Sequence, residues 1–108
     1  MFGPEDKTKK IYKELVRPIT EKVLSQRVNG TVFAYGQTLS GKTYTMLGEL
    51  ARVNNAQSNV VSNSDELGIV QMCLVDVFKA LMKEPDSYLS LSYLEVYNEN
   101  VFDLLMKD

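Results

Sequence analysis

Residues 36–43 are the ones in this chain whose types and spacing could do chemistry. Gly36-Gln37-Thr38-Leu39-Ser40-Gly41-Lys42-Thr43 fits the phosphate-binding pattern G-x-x-x-x-G-K-[ST] at every required position. A loop that turns its backbone N–H groups inward makes a concave site for an anion. Gly36 and Gly41 allow positive φ or close backbone approach, where a Cβ would collide with a phosphate. A helix beginning near Lys42 adds unpaired N–H groups at its positive end. In this pattern Lys42 reaches the β- and γ-phosphates of a nucleotide, and the Thr43 hydroxyl ligates Mg²⁺.

The loop needs elements to hold it. Upstream, Thr31-Val32-Phe33-Ala34-Tyr35 is β-branched and aromatic, which predicts a strand over 31–35. Downstream, Thr43-Tyr44-Thr45-Met46-Leu47 can begin a helix. Before the strand, Ile11, Leu15, Ile19 and Val23-Leu24 recur at helical spacing and predict a helix over 8–28. Thr8 is the expected N-cap, Pro18 should kink or break the helix, and Asn29-Gly30 should end it. Polar, turn-forming residues fill an inserted loop over 48–68. Ile69-Val70, Leu74, Val77-Phe78 and Leu81-Met82 predict a helix over 69–83, and Tyr88–Tyr97 a strand over 88–97. Asn98-Glu99-Asn100 turns the chain into the short apolar segment 101–105.

Composition narrows the function classes. The 108 residues suffice for one small domain, and 44% of them are hydrophobic. Twelve Lys plus Arg stand against 14 Asp plus Glu, so no nucleic-acid-binding surface is implied. The early cluster Lys7, Lys9, Lys10 and Lys13 reads as a solvated helix start. Without histidine, His-based zinc sites and Ser-His or Cys-His catalysis are excluded, and the single Cys73 cannot form an internal disulfide. No apolar run is long enough to cross a membrane, so an intracellular, cytoplasmic chain is expected. A nucleotide hydrolase also needs a metal-binding acid and groups that position water. Glu95 and Asp103 are poor candidates for that acid, and Arg17, Arg27 and Arg52 offer no arginine finger.

Two blocks of sequence resemble the kinesin motor domain. Asn29–Thr38, with Ser40-Gly41-Lys42-Thr43-Tyr44-Thr45-Met46 and Gly48, is similar to that family's phosphate-loop region. Ser92-Tyr93-Leu94-Glu95-Val96-Tyr97-Asn98-Glu99, followed by Asp103-Leu104-Leu105, resembles its S-Y-x-E-I-Y-N-E…D-L-L segment. Phe2-Gly3-Pro4-Glu5 with Ile11-Tyr12, and Gly68-Ile69, fit the same register, so the resemblance covers nearly the whole of 1–108.

The resemblance implies an α/β fold of the P-loop NTPase type, a three-layer sandwich of which this chain is an incomplete part. It implies ATP and Mg²⁺ as cofactors, Mg-ATP hydrolysis coupled to movement, microtubules as partner and the cytoskeleton as location. Gly36, Gln37, Thr38, Leu39, Ser40, Gly41, Lys42, Thr43 and Tyr44 carry over as nucleotide contacts, with Thr43 on Mg²⁺. Tyr12 falls where many members place a tyrosine beside adenine, and reads equally well as a core aromatic on a helix face. Residues 48–67 correspond to a variable loop over the pocket.

Departures are specific. Arg27-Val28-Asn29-Gly30-Thr31 replaces G-Y-N-G-T, Gln71-Met72 stands where Pro-Arg is common, and Leu39 takes a usually small position and is expected to crowd the loop. The family's N-x-x-S-S-R and D-x-x-G-x-E switch motifs are not among these residues. A truncated, non-enzymatic remnant of the family is the alternative reading, and a small phosphotransferase using the same loop is a third.

Overall fold

The computed structural model describes residues 2–3, 5–48 and 67–106. The bulk of the expected inserted loop, 49–66, lies outside the described residues, as does Arg52.

The first helical rod has three parts: α1 (Thr8–Ile11), a π-helical turn (Tyr12–Val16) and α2 (Arg17–Gln26). Its N-cap is Lys7, while the expected cap, Thr8, is the first helical residue and is buried. Ahead of it, the Gly3 N–H donates to Asp6 Oδ2 at 2.8 Å and Lys10 Nζ donates to Asp6 Oδ1 at 2.8 Å. The Lys10 ammonium, then the Gly3 N–H, hold the Asp6 carboxyl below its usual range.

Pro18 does not break the rod. In a regular α-helix its ring would crowd the carbonyl four residues back. The π turn sits immediately before it and widens the backbone there, leaving Pro18 in the first turn of α2, where no N–H is required. Thr20 Oγ1 donates to Val16 O at 3.2 Å, satisfying a carbonyl at the end of the wide turn. The rod ends earlier than expected. Arg27, not Asn29-Gly30, takes the left-handed cap, with φ 54° and its N–H on Val23 O at 3.1 Å. Gly30 instead lets the chain fold back over α2. A Cβ there would lie 2.6 Å from Val23 Cγ2 and 2.9 Å from Ile19 Cγ2.

The buried face is also displaced from the expected one. Thr8, Tyr12, Val16 and Thr20 are buried, whereas Leu15 and Ile19 are exposed. A strict four-residue repeat drifts about 40° per step on a regular α-helix. The wide turn reduces that drift and keeps the stripe facing one neighbour.

That neighbour is α4 (Ile69–Leu81), which ends two residues short of the expected 83. Ile69 and Met72 join Tyr12 and Val16 in the core, flanked by Ile11, Met46, Leu67 and Cys73. Between the two helical pieces lies α3 (Lys42–Leu47), closed by Gly48 at φ 65° and ψ −160°, a conformation essentially confined to glycine. Gly68 abuts this corner so closely that an added Cβ would lie 2.4 Å from both Gly48 N and Met46 O. Gln71 Nε2 donates to Leu47 O at 2.7 Å, capping the last turn of α3.

The β structure differs most from expectation. Thr31–Tyr35 enters no ladder among the described residues, and Phe33 and Tyr35 are 82% and 95% exposed. Of the expected strand 88–97, only β1 (Leu94–Tyr97) is paired. Its partner β2 (Asn100–Asp103) lies in the segment read as a short apolar run. They form a two-stranded antiparallel sheet with Leu94 opposite Asp103 and Tyr97 opposite Asn100. Asn98 and Glu99 both have positive φ, 49° and 62°, the signs of a type I′ hairpin turn. Leu104 N–H donates to Tyr93 O at 2.8 Å and extends the ladder by one bond. The described residues therefore hold helices and a small antiparallel sheet, and do not assemble the three-layer sandwich. β-forming composition reports side chains that suit a pleated surface, and pairing still requires a partner strand.

Gly68→Ala is expected to lower the unfolding free energy by about 2–3 kcal/mol, since a backbone contact cannot yield as a flexible side chain would. Urea titration of the two proteins checks this. An unchanged midpoint would mean that α4 does not press on the Met46–Gly48 corner.

Candidate phosphate-binding loop

Residues 36–43 form a closed turn hung on the start of α3. The Ser40 N–H donates to Gln37 O at 3.2 Å, so Thr38 and Leu39 are the central residues of a four-residue turn. Leu39 has φ 66° and Gly41 φ 90°. Gly41 is the N-cap of α3, and its carbonyl accepts the Thr45 N–H at 2.9 Å. Gly36 serves by close approach. A Cβ on it would come within 2.5 Å of Ser40 Oγ.

Lys42 closes the loop. Its ammonium donates to Gly36 O and to Gln37 O, each at 2.6 Å, spanning the turn from the helix side. These bonds hold a full positive charge against neutral carbonyls. A phosphate oxyanion in their place makes a charge-assisted bond roughly twice as strong. Thr43 and Tyr44 are exposed on the first turn of α3. Leu39 is 99% exposed, so it does not crowd the loop as its size suggested.

Tyr12 is placed apart from this turn. It is 6% exposed in the helix–helix core and donates its hydroxyl to Asp76 Oδ2 at 2.8 Å. A cavity of about 390 Å³ beside it is lined by Lys13, Arg17, Met72, Asp76 and Lys79 among others, and by no residue of 36–44. Burial, then the bond to Asp76, pushes the Tyr12 phenol well above its ordinary value. The core links it to the loop only indirectly, through Met46 of α3.

Two of the remaining polar candidates, Arg17 and Asp103, have local partners. Arg17 Nε pairs with Glu21 at 3.1 Å and approaches Asp76 Oδ2 at 3.8 Å. Asp103 Oδ1 accepts the Leu105 N–H at 2.9 Å, a turn-forming bond, and Glu95 is exposed in β1. Among the described residues, no group of three or more His, Cys, Asp or Glu side chains could hold a metal ion. Asp76, Gly48 and Gly68 support the arrangement; the two glycines stand in the motif blocks of the sequence without a packing role, and Asp76 was not singled out there. Asp76 leaves a trace there as the only charged residue from Ile69 to Phe78, a run that is otherwise apolar except for Gln71.

Comparison with known proteins gives a consistent result. The family model described as "Kinesin motor domain" matches residues 1–108. Centromere-associated protein E of Homo sapiens is 40% identical over 107 residues, 97% of this chain and 3% of the human protein. Kinesin-like protein Klp61F of Drosophila melanogaster is 42% identical over 109 residues, 99% of this chain and 10% of its own length. Kinesin-like protein KIN-5C of Arabidopsis thaliana is 39% identical over 106 residues, 97% of this chain and 10% of its own length. The chain thus spans a tenth or less of these relatives.

The Tyr12–Asp76 bond has a pH signature. The folded state holds the phenolic proton more tightly than the unfolded chain does. Its stabilising contribution is therefore complete below about pH 10 and declines as pH rises above that value. Tyr12→Phe should remove this alkaline decline and cost about 1–2 kcal/mol at neutral pH, through loss of a bond to a carboxylate. Denaturation at pH 7 and pH 11 measures both effects, and a wild-type alkaline decline retained in Tyr12→Phe would assign it to another group.

Proposed function

This chain belongs to the kinesin motor-domain family, and from that premise we propose that residues 36–43 bind the polyphosphate of ATP in a kinesin-like microtubule motor. The observation that carries this reading is the position of the Lys42 ammonium, 2.6 Å from the carbonyls at both Gly36 and Gln37. A lysine drawn across a glycine-bounded turn puts its charge beside the backbone that would surround a phosphate. Gly36 and Gly41 keep that backbone free of Cβ atoms.

In this reading the backbone N–H groups of 36–43 would cradle the phosphates, Lys42 would pair with the β- and γ-phosphates, and the Thr43 hydroxyl would ligate Mg²⁺. The donor set suits Mg²⁺ arriving with the nucleotide. With no acidic cluster among the described residues, an ion held mainly by phosphate oxygens and water, plus one hydroxyl, is the one that fits. When bound, Mg²⁺ neutralises charge across the β- and γ-phosphates. Tyr44 lies within the first turn of α3 and flanks the nucleotide. Tyr12 acts through the core, positioning α4 and Met46 instead of touching the base.

Hydrolysis, and its coupling to movement on microtubules in the cytoskeleton, we assign to the complete motor domain, in which the layered α/β sandwich forms. The two switch motifs that the family uses to sense the γ-phosphate are not among these 108 residues. No helix among the described residues is long and apolar enough to cross a membrane.

In the full-length protein, Lys42→Ala is expected to weaken MgATP binding at least about tenfold, the loss of a charge-assisted bond to phosphate. Calorimetric titration measures it, and equal affinity in both proteins would remove the phosphate-loop assignment. The 108-residue chain by itself should turn over ATP no faster than its Lys42→Ala variant. Microtubule-stimulated hydrolysis by that chain alone would show that the switch motifs are dispensable.

A further inference from the structure

We propose that Leu39 is a positioning residue that sets how often the phosphate loop is ready to bind, through its backbone and not its bulk. The proposal rests on the reading of residues 36–43 as a nucleotide phosphate loop. Leu39 occupies the left-handed region, with φ 66°, at the third position of the Gln37–Ser40 turn. Positive φ at that position is the mark of a turn that favours glycine or asparagine. A leucine there brings its Cβ against the following carbonyl.

Strained residues persist when their surroundings over-determine them. At Leu39 they do not. The side chain is 99% exposed, so packing contributes nothing to holding this φ. The turn is kept by the Ser40 N–H on Gln37 O, at a long 3.2 Å, and by the two carbonyl bonds from Lys42. Those Lys42 bonds are the ones a phosphate displaces. The loop therefore loses part of its own support at the moment of binding, and a residue that prefers negative φ opposes the cradle conformation just then. Apparent affinity falls with the fraction of molecules in the competent conformation. Relieving residue 39 raises that fraction and appears in the association rate.

The backbone account separates from a steric one by residue type. Glycine and asparagine both tolerate the left-handed region, although asparagine is nearly as large as leucine. Alanine is small, yet disfavours the region much as leucine does. We would measure association and dissociation of MgADP bearing a fluorescent ribose label, using the full-length protein and stopped flow. Leu39→Gly should bind about threefold to tenfold faster, the left-handed cost less the flexibility that glycine brings. Leu39→Asn should follow it, Leu39→Ala should stay near wild type, and Leu39→Val should bind more slowly. Dissociation rates should agree within about twofold across the series, which a purely structural effect on melting temperature would not produce. Faster binding by Leu39→Ala with none by Leu39→Asn would assign the effect to size and overturn the proposal, as would a series with no change. Equal binding by wild type and Lys42→Ala would instead remove the phosphate-loop reading, and this proposal with it.

Discussion

The rest of the structure depends on the backbone contact at Gly68. α3 has six residues, too few to hold helical geometry alone, because helix initiation is costly and propagation here is brief. What holds it is the approach of Gly68 to Met46 and Gly48, reinforced by the Gln71 amide on Leu47 O. The phosphate turn hangs from the other end of the same short helix. Its geometry is therefore set by a packing contact several residues away, at positions where a side chain of any kind would force α3 and α4 apart.

A second fastening works on α4 from the opposite side. Tyr12, on the wide helical turn, reaches Asp76, while Arg17 approaches the same carboxylate. The π turn has two consequences with one cause. It accommodates Pro18, and it keeps Thr8, Tyr12, Val16 and Thr20 in line towards α4. A straight α-helix would satisfy neither requirement. The pairing of the rod with α4, and through Met46 the seating of α3, both follow from that local widening.

The sequence revealed the parts governed by local rules. The spacing of Gly36, Gly41, Lys42 and Thr43 specifies the loop because each glycine answers a local steric demand, and the four-residue recurrences identified both long helices. Faces and edges were less legible. Helical periodicity pointed to Ile11, Leu15 and Ile19, yet the core formed one residue further on, at Tyr12 and Val16. The widened turn that decides between those faces has no simple pattern in the sequence. The cap expected at Asn29-Gly30 fell to Arg27 for a similar reason. Glycine is the residue freest to take the left-handed cap, but here it was needed where an added Cβ would lie 2.6 Å from Val23 Cγ2 on α2. The turn at Asn98-Glu99-Asn100 is legible from its residue types, whereas the pairing across it is not, because Asn98-Glu99 lacks the glycine that usually announces a two-residue hairpin.

The displaced faces and the unpaired strand-like segments share one explanation. Each long helix is apolar on two sides. One side makes the helix–helix core. The other, the side that periodicity emphasised, looks onto extended chain. Ile11, Leu15 and Ile19 line a cavity with Val32, Phe33 and Ala34. Leu74, Phe78 and Leu81 line another with Leu89 and Leu91. Residues 31–34 and 88–91 therefore lie against helices in the manner of sheet segments under a helical layer, although they exchange no ladder bonds with each other among the described residues. The apolar composition of those segments records the helix-facing surface they must cover, and hydrogen bonding along their edges is a separate requirement. This is why strand composition was strong at 31–35 while the only ladder among the described residues formed at 94–103, where an adjacent turn brings two strands together without help from distant sequence.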